Sequence, residues 1–187
     1  MPINILPGFL LVSIGISLLS CSESNRIARK NDASVPDWQK LTGPNYSVQY
    51  PPDWELVESR QMGTDFMLFS PLESDSDIFK ENVNLLVQDL SGFNLDLDSY
   101  VQMSEKQLLA VITDPVIIES KRMKAGSSDY HKFLYTGKQG QFKLKFEQYV
   151  WVEDKKAYIL TLTCEDEKYS DYRETGEAIL NSFSLSI

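Results

Sequence analysis

Between Asp129 and Cys164 the chain is written in a period of two, broken only by short polar joins, and that pattern leaves few folds open. Asp129 to Thr136 runs out and Gly137-Lys138-Gln139-Gly140 reads as a turn. Phe142-Lys143-Leu144-Lys145-Phe146 then alternates and continues through Val150 and Val152, with Gln148 the one polar residue in phase. Glu153-Asp154-Lys155-Lys156 joins this segment to Tyr158-Ile159-Leu160-Thr161-Leu162-Thr163-Cys164, and Val116 to Met123 leads in through the turn Ala125-Gly126-Ser127-Ser128. Parallel neighbours need crossovers of about a dozen residues or more, so joins this short make the segments an antiparallel meander.

Strands are also expected earlier, at Tyr46-Ser47-Val48-Gln49-Tyr50, at Phe66 to Phe69 and at Val83 to Leu90; Pro51-Pro52-Asp53-Trp54 turns the chain after the first of them. Asp96 or Asp98 caps a helix to about Ile112, with Leu97, Tyr100, Val101, Leu108 and Val111 at three- and four-residue spacing and Asp114-Pro115 as its stop. A second helix is expected from about Asp166 to Phe183, with Tyr169, Tyr172, Gly176, Ile179 and Phe183 on one face. The fold class is therefore α+β: a central antiparallel β-sheet flanked by helices on both faces, an α/β/α sandwich.

The beginning of the chain reads differently. Ile3 to Ser20 carry no charged side chain, and Leu18-Leu19-Ser20-Cys21 closes the apolar run as the lipobox of a bacterial lipoprotein does. Residues 1–20 are thus expected to be a signal peptide, although no Lys or Arg precedes its apolar core. A spanning helix needs about 20 apolar residues, and Pro2, Pro7, Gly8 and Gly15 make this stretch a poor one. Lipid on Cys21 would hold the protein to a membrane of the cell envelope, facing the periplasm or exterior. Ser22 after the cysteine favours the outer membrane. Residues 21–40 are polar and read as a flexible tether, and 41–187 as one folded domain. With Cys21 lipidated, Cys164 is a lone thiol among apolar neighbours, expected as a buried hydrophobe.

Chemistry is scarce. A net charge of -9 argues against nucleic acid. His131, the single histidine, has no Gly-x-Ser-x-Gly elbow or partner histidines for nucleophilic or zinc chemistry. Glu73, Asp75, Asp77 and Glu81 form the best cation candidate, a weak one, because Ile78 stands where an EF-hand turn needs glycine. No cofactor and no catalytic residue are expected. Lys121, Arg122, Lys124 and Lys132, with Tyr149 and Trp151, make a candidate docking surface; the alternative is that a helix covers Tyr149 and Trp151 as core.

Several strings resemble the PsbP-like proteins, a fold group that also holds the DcrB-like lipoproteins and the Mog-type Ran-binding proteins. They are Tyr46-Ser47-Val48-Gln49-Tyr50-Pro51-Pro52-Asp53-Trp54, Glu81-Asn82-Val83-Asn84-Leu85-Leu86-Val87, Leu97-Asp98-Ser99-Tyr100, Lys156 to Thr163, and Ile179 to Leu185. The resemblance implies an antiparallel sheet between helical layers and a non-catalytic protein that docks on membrane complexes or assists their assembly. Photosynthetic members attach to photosystem II, a role implied here only in a photosynthetic host. The expected function is protein binding by a lipid-anchored envelope protein; a small-ligand or calcium-binding module is the other reading. Replacing the lipidated thiol tests the anchor: Cys21→Ser should move the protein from the membrane to the soluble fraction, and unchanged fractionation would refute it.

Overall fold

The computed structural model describes residues 37–59, 63–125 and 128–186. Cys21, the leader 1–20, the tether up to residue 36, and Gly126 and Ser127 of the first expected turn lie outside them. The described chain is a mixed α+β fold built on a seven-stranded antiparallel sheet, a three-stranded sheet and two helices.

The small sheet joins β1 (Gln39–Thr42), β2 (Tyr46–Tyr50) and β10 (Ser184–Leu185) in the order β1-β2-β10. Tyr46–Tyr50 is therefore a central strand of its sheet rather than the edge strand that the following prolines suggest. Gln39 and Lys40 belong to β1, so the fold begins two residues before the boundary that composition marks. Leu185, two residues past Phe183, pairs with Tyr46. The large sheet contains β3 (Glu55–Val57), β4 (Thr64–Phe69), β5 (Asn82–Asp89), β6 (Thr113–Ala125), β7 (Ser128–Gln139), β8 (Phe142–Glu153) and β9 (Lys156–Glu165). Their spatial order is β3-β4-β5-β9-β8-β7-β6, which puts β9 at the centre and β6 at an edge.

The meander has the expected connectivity, with one turn moved. Gln139 pairs with Phe142, so the second turn is Gly140-Gln141, and Gly137 lies inside β7. Gly137 serves a close approach instead: a Cβ there would meet Ile112 Cγ2 at 2.1 Å. In the third turn Asp154 and Lys155 both adopt positive φ, 48° and 58°, and Glu153 pairs with Lys156. That is the two-residue geometry whose twist matches antiparallel strands.

The first helix, α1 (Leu97–Val111), is capped by Asp96, whose Oδ1 accepts from Ser99 N at 2.8 Å. Its buried stripe includes Ser104 and Gln107, whereas Val111, expected in the core, is exposed. The second helix, α2 (Tyr169–Ser182), starts three residues later than expected. Asp166 does not cap it, because its carboxylate is held by Lys143 at 2.6 Å and Lys145 at 3.3 Å from the neighbouring strand.

Strand alternation divides the core in two. Tyr158, Leu160, Leu162 and Cys164 of β9 pack with β2 and with Tyr169, Ile179 and Leu180 of α2. Ala157 and Ile159, one step out of phase, pack with Leu97, Tyr100, Val101 and Leu108 of α1. Ile179 and Leu180 are fully enclosed, each worth about 1.5–3 kcal/mol by burial. Contact between α2 and β9 is close at Gly176, where a Cβ would stand 2.4 Å from Leu162 Cδ2. Leu162 is itself fully buried and has no room to give. Gly176→Val should therefore lower stability by roughly 1–3 kcal/mol through overpacking, despite valine's better helix propensity; an unchanged denaturation midpoint would show that the contact is slack.

Candidate functional site

The six residues of the expected docking surface do not share one surface. Lys121, Lys132 and Tyr149 are cross-strand partners on the α2 side of the sheet, whereas Arg122 pairs with His131 on the α1 side, next to Lys124 and its partner Asp129. Tyr149 and Trp151 are only 4% exposed. The ring of Tyr130 lies 4.9 Å from Tyr149 and 5.2 Å from Trp151, and Phe183, just past α2, closes on Trp151 at 4.9 Å. These two aromatics belong to the core, as covering by a helix requires. Three cations stay exposed: Lys121, Arg122 and Lys124, all on β6. Arg122 is shared between Asp129, at 2.8 Å from Nη2, and Asp98 of α1, exposed pairs that solvent screens.

The same strand carries a feature that the sequence reading passed over. Along β6, Val116, Ile118, Ser120, Arg122 and Lys124 are all exposed. Val116 is 57% and Ile118 52% exposed, and Leu109 and Val111 at the end of α1 are exposed as well. Four large apolar side chains thus lie open within ten residues, where α1 passes into an edge strand. Val116 pairs with Thr136 on the α2 side and Arg122 with His131 on the α1 side, so these exposed side chains wrap the free edge of β6 rather than share one face, and such an edge is open to a contact. The signal was present: Val116-Ile117-Ile118 is apolar throughout, so an alternating strand must turn some of it outward. Only Ile117 reaches the α1 core. Pro115 and register irregularities between Thr113 and Val116 and between Ile117 and Glu119 interrupt the ladder, which hinders indiscriminate strand pairing.

Beneath α2 lies a buried ionic network. Glu147, fully enclosed, takes Lys132 Nζ at 2.6 Å and accepts from the hydroxyls of Tyr169 at 2.6 Å and Tyr149 at 3.2 Å. Burial, with Glu147 beside them, pushes both phenols above their ordinary range. Burial alone would lower Lys132, but its hydrogen bond and charge pairing with Glu147 outweigh this and raise it. Every member has its counterpart, and the arrangement holds α2 to the sheet; breaking such a pair typically costs about 3–5 kcal/mol. Cys164 is fully buried, and burial reinforced by Glu81 and Glu147 raises its thiol, the opposite of an activated nucleophile. His131 is buried with Nε2 2.9 Å from Ser120 Oγ, and burial lowers its pKa.

The four acidic candidates are not brought together. Asp77 accepts from the backbone N–H of Glu73 and Phe79, both at 3.0 Å, shaping its own loop. Glu73 pairs with Lys168, Asp75 stays exposed, and Glu81 is buried against Ser70 Oγ at 3.4 Å. Among the described residues no three His, Cys, Asp or Glu side chains converge as a metal site would need. Nor is any helix there long and apolar enough to cross a membrane.

Residues 39–185 match the family model described as PsbP. The chain belongs to the PsbP family. Solved structures agree with this fold at low identity. Cyanobacterial PsbP (CyanoP) from Synechocystis sp. PCC 6803 is 13% identical, with 85% of this chain and 98% of that one covered at a TM-score of 0.59. LpqN of Mycobacterium tuberculosis, described as involved in cell envelope biogenesis, is 10% identical over 81% and 91% of the two chains, TM-score 0.61. PA94 of Pseudomonas aeruginosa, a putative regulator, is 9% identical over 78% and 94%, TM-score 0.57. No curated protein matches the sequence.

Within this PsbP-family domain, Glu81 sets a pH dependence. Burial, assisted by the charges of Asp77, Glu165 and Glu73 and opposed by a backbone hydrogen bond, raises its pKa from 4.5 to about 7. A carboxyl whose folded pKa lies above its unfolded value favours the fold while protonated. Stability should then fall as pH rises from about 4.5 and level off above about 7, by at most about 3 kcal/mol. Glu81→Gln should flatten that slope in denaturation curves taken across the interval; a variant with the wild-type slope would contradict the assignment.

Proposed function

We propose that this PsbP-family protein is a lipid-anchored, non-catalytic docking module of the cell envelope, held by Cys21 at the outer membrane and acting on a protein partner during assembly or maintenance of a membrane complex. In this reading the large sheet sits between α1 on one face and α2 with the small sheet on the other. That arrangement leaves the corner of α1 and β6 to make contact. The observation that carries the reading is the exposure of Leu109 and Val111 at the end of α1 and of Val116 and Ile118 on the edge strand β6, with Arg122 and Lys124 farther along that edge. Apolar centres beside cations suit protein interfaces, where aliphatic burial supplies affinity and charge supplies orientation.

The lipobox supports the anchor, and the described relationship of LpqN to cell envelope biogenesis supports the compartment. Glu147, Lys132, Tyr149 and Tyr169 beneath α2 are paired with one another, which favours a structural role over chemistry there. Capture from solubilised envelope membranes tests the surface. The double variant Val116→Asp, Ile118→Asp should keep its stability within about 0.5 kcal/mol yet lose the stoichiometric partner of the wild type by about tenfold or more. Equal capture by wild type and variant would remove this corner as the contact.

A further inference from the structure

The middle of the large sheet carries a polar row where a buried strand centre is ordinarily apolar. Asn84 of β5, Thr161 of β9 and Gln148 of β8 are cross-strand neighbours in one line, and Asn82 and Thr163 form the next pair on the same face. All five are under 9% exposed. Among the described residues their side chains make two hydrogen bonds, both long: Asn84 Nδ2 to Asn82 Oδ1 at 3.5 Å and Asn82 Nδ2 to the Lys80 carbonyl at 3.3 Å.

The helix meets this row with a polar stripe. Tyr100 donates to Gln88 Oε1 of β5 at 2.8 Å, while Ile112 lies against Gly137 of β7. These two contacts orient α1: Tyr100, Ser104 and Gln107, spaced four and three residues apart, line the flank toward β5 and β9. Gln107 is 3% exposed, and both its Nε2 and its Oε1 are enclosed without a hydrogen-bond partner. Leaving such an amide unsatisfied costs about 1–3 kcal/mol per group, a large penalty in a domain of ordinary stability.

We propose that the α1 side of β5, β9 and β8 is a binding site for a small, uncharged, hydroxyl-bearing ligand of the saccharide class, held by Asn84, Gln148, Thr161 and Gln107. Carboxamides and hydroxyls both donate and accept, so neighbouring hydroxyls of one sugar ring can engage the carbonyl and N–H of a single amide. On this face β5 carries Asn82, Asn84, Leu86 and Gln88, β8 carries Phe146, Gln148, Val150 and Val152, and β9 carries Ala157, Ile159, Thr161 and Thr163. None is charged, so an anionic or cationic ligand would find no counter-charge, and a purely apolar one would leave the amides bare. Adjacent strands lie about 4.8 Å apart, so the polar groups of the three strands form a row about 10 Å across. Phe146, in register with Thr163 and stacked on Tyr135 at 4.8 Å, supplies an apolar wall beside the hydroxyls.

The site is independent of the α1–β6 corner, and calorimetry separates them. The full chain, solubilised in a detergent without a sugar head group, is titrated with maltose and methyl glucoside, with glucose 6-phosphate and hexanol as charged and apolar counterparts. The neutral sugars should bind in the millimolar range and the counterparts at least about tenfold more weakly. Asn84→Leu and Gln148→Leu should each weaken sugar binding by about tenfold, and Thr161→Val, which preserves volume, provides the same readout if either fails to fold. The Val116→Asp, Ile118→Asp protein should bind sugar as the wild type does. Absence of binding by either neutral sugar, equal binding of glucose 6-phosphate, or unchanged affinity in the folded variants would overturn the proposal.

Discussion

Strand β9 is common to both halves of the core. It is the middle strand of seven, paired along its length with β5 on one side and β8 on the other. From Ala157 to Cys164 every residue is buried. Because successive side chains leave a strand on opposite faces, those eight residues seed two separate cores. Tyr158, Leu160, Leu162 and Cys164 meet α2 and the small sheet, and Ala157 and Ile159 meet α1. A slip of one residue in the pairing of β9 would exchange the two sets and put Thr161 and Thr163 under α2. Register here is therefore the constraint on which both helices depend.

In this reading the fold offers two kinds of place for contact with other molecules. One is the rim. At β6 the ladder ends, and apolar side chains that would be covered in a wider sheet remain open. The other is the half of the α1 face that carries amides and hydroxyls rather than aliphatics. The buried charges near α2 belong to neither, since Glu147 is surrounded by Lys132 and two phenols that consume its acceptor capacity. Local charge also departs from the whole-chain value: a protein of net charge -9 presents three cations along one strand. Orientation at a partner is set by such local contrast rather than by the sum.

The meander was legible because turn residues and period-two alternation are local properties. Asp154 and Lys155 could be placed between strands from their polar flanks alone, and the cap of α1 was narrowed to Asp96 or Asp98, between which the Asp96–Ser99 hydrogen bond decides. Gly137 was misread as a turn residue because a glycine needed for backbone clearance looks the same in sequence as one needed for a turn. Asp166 looked like a helix start until Lys143 and Lys145 claimed its carboxylate. Lys132, Tyr149 and Trp151 formed a plausible exposed group on paper. Which face of the sheet α2 would cover cannot be computed from the strand itself.

The sequence by itself determined the antiparallel order of the meander, the two amphipathic helices and the burial of Cys164, because short joins and side-chain periods act within a few residues. Tertiary structure alone decided that β9 takes the centre and β6 the rim, that α2 closes over Tyr149 and Trp151, and that Asn84, Thr161 and Gln148 fall in line beneath the flank of α1. Each of those outcomes rests on pairing between segments tens of residues apart, where packing complementarity and not local preference selects the neighbour.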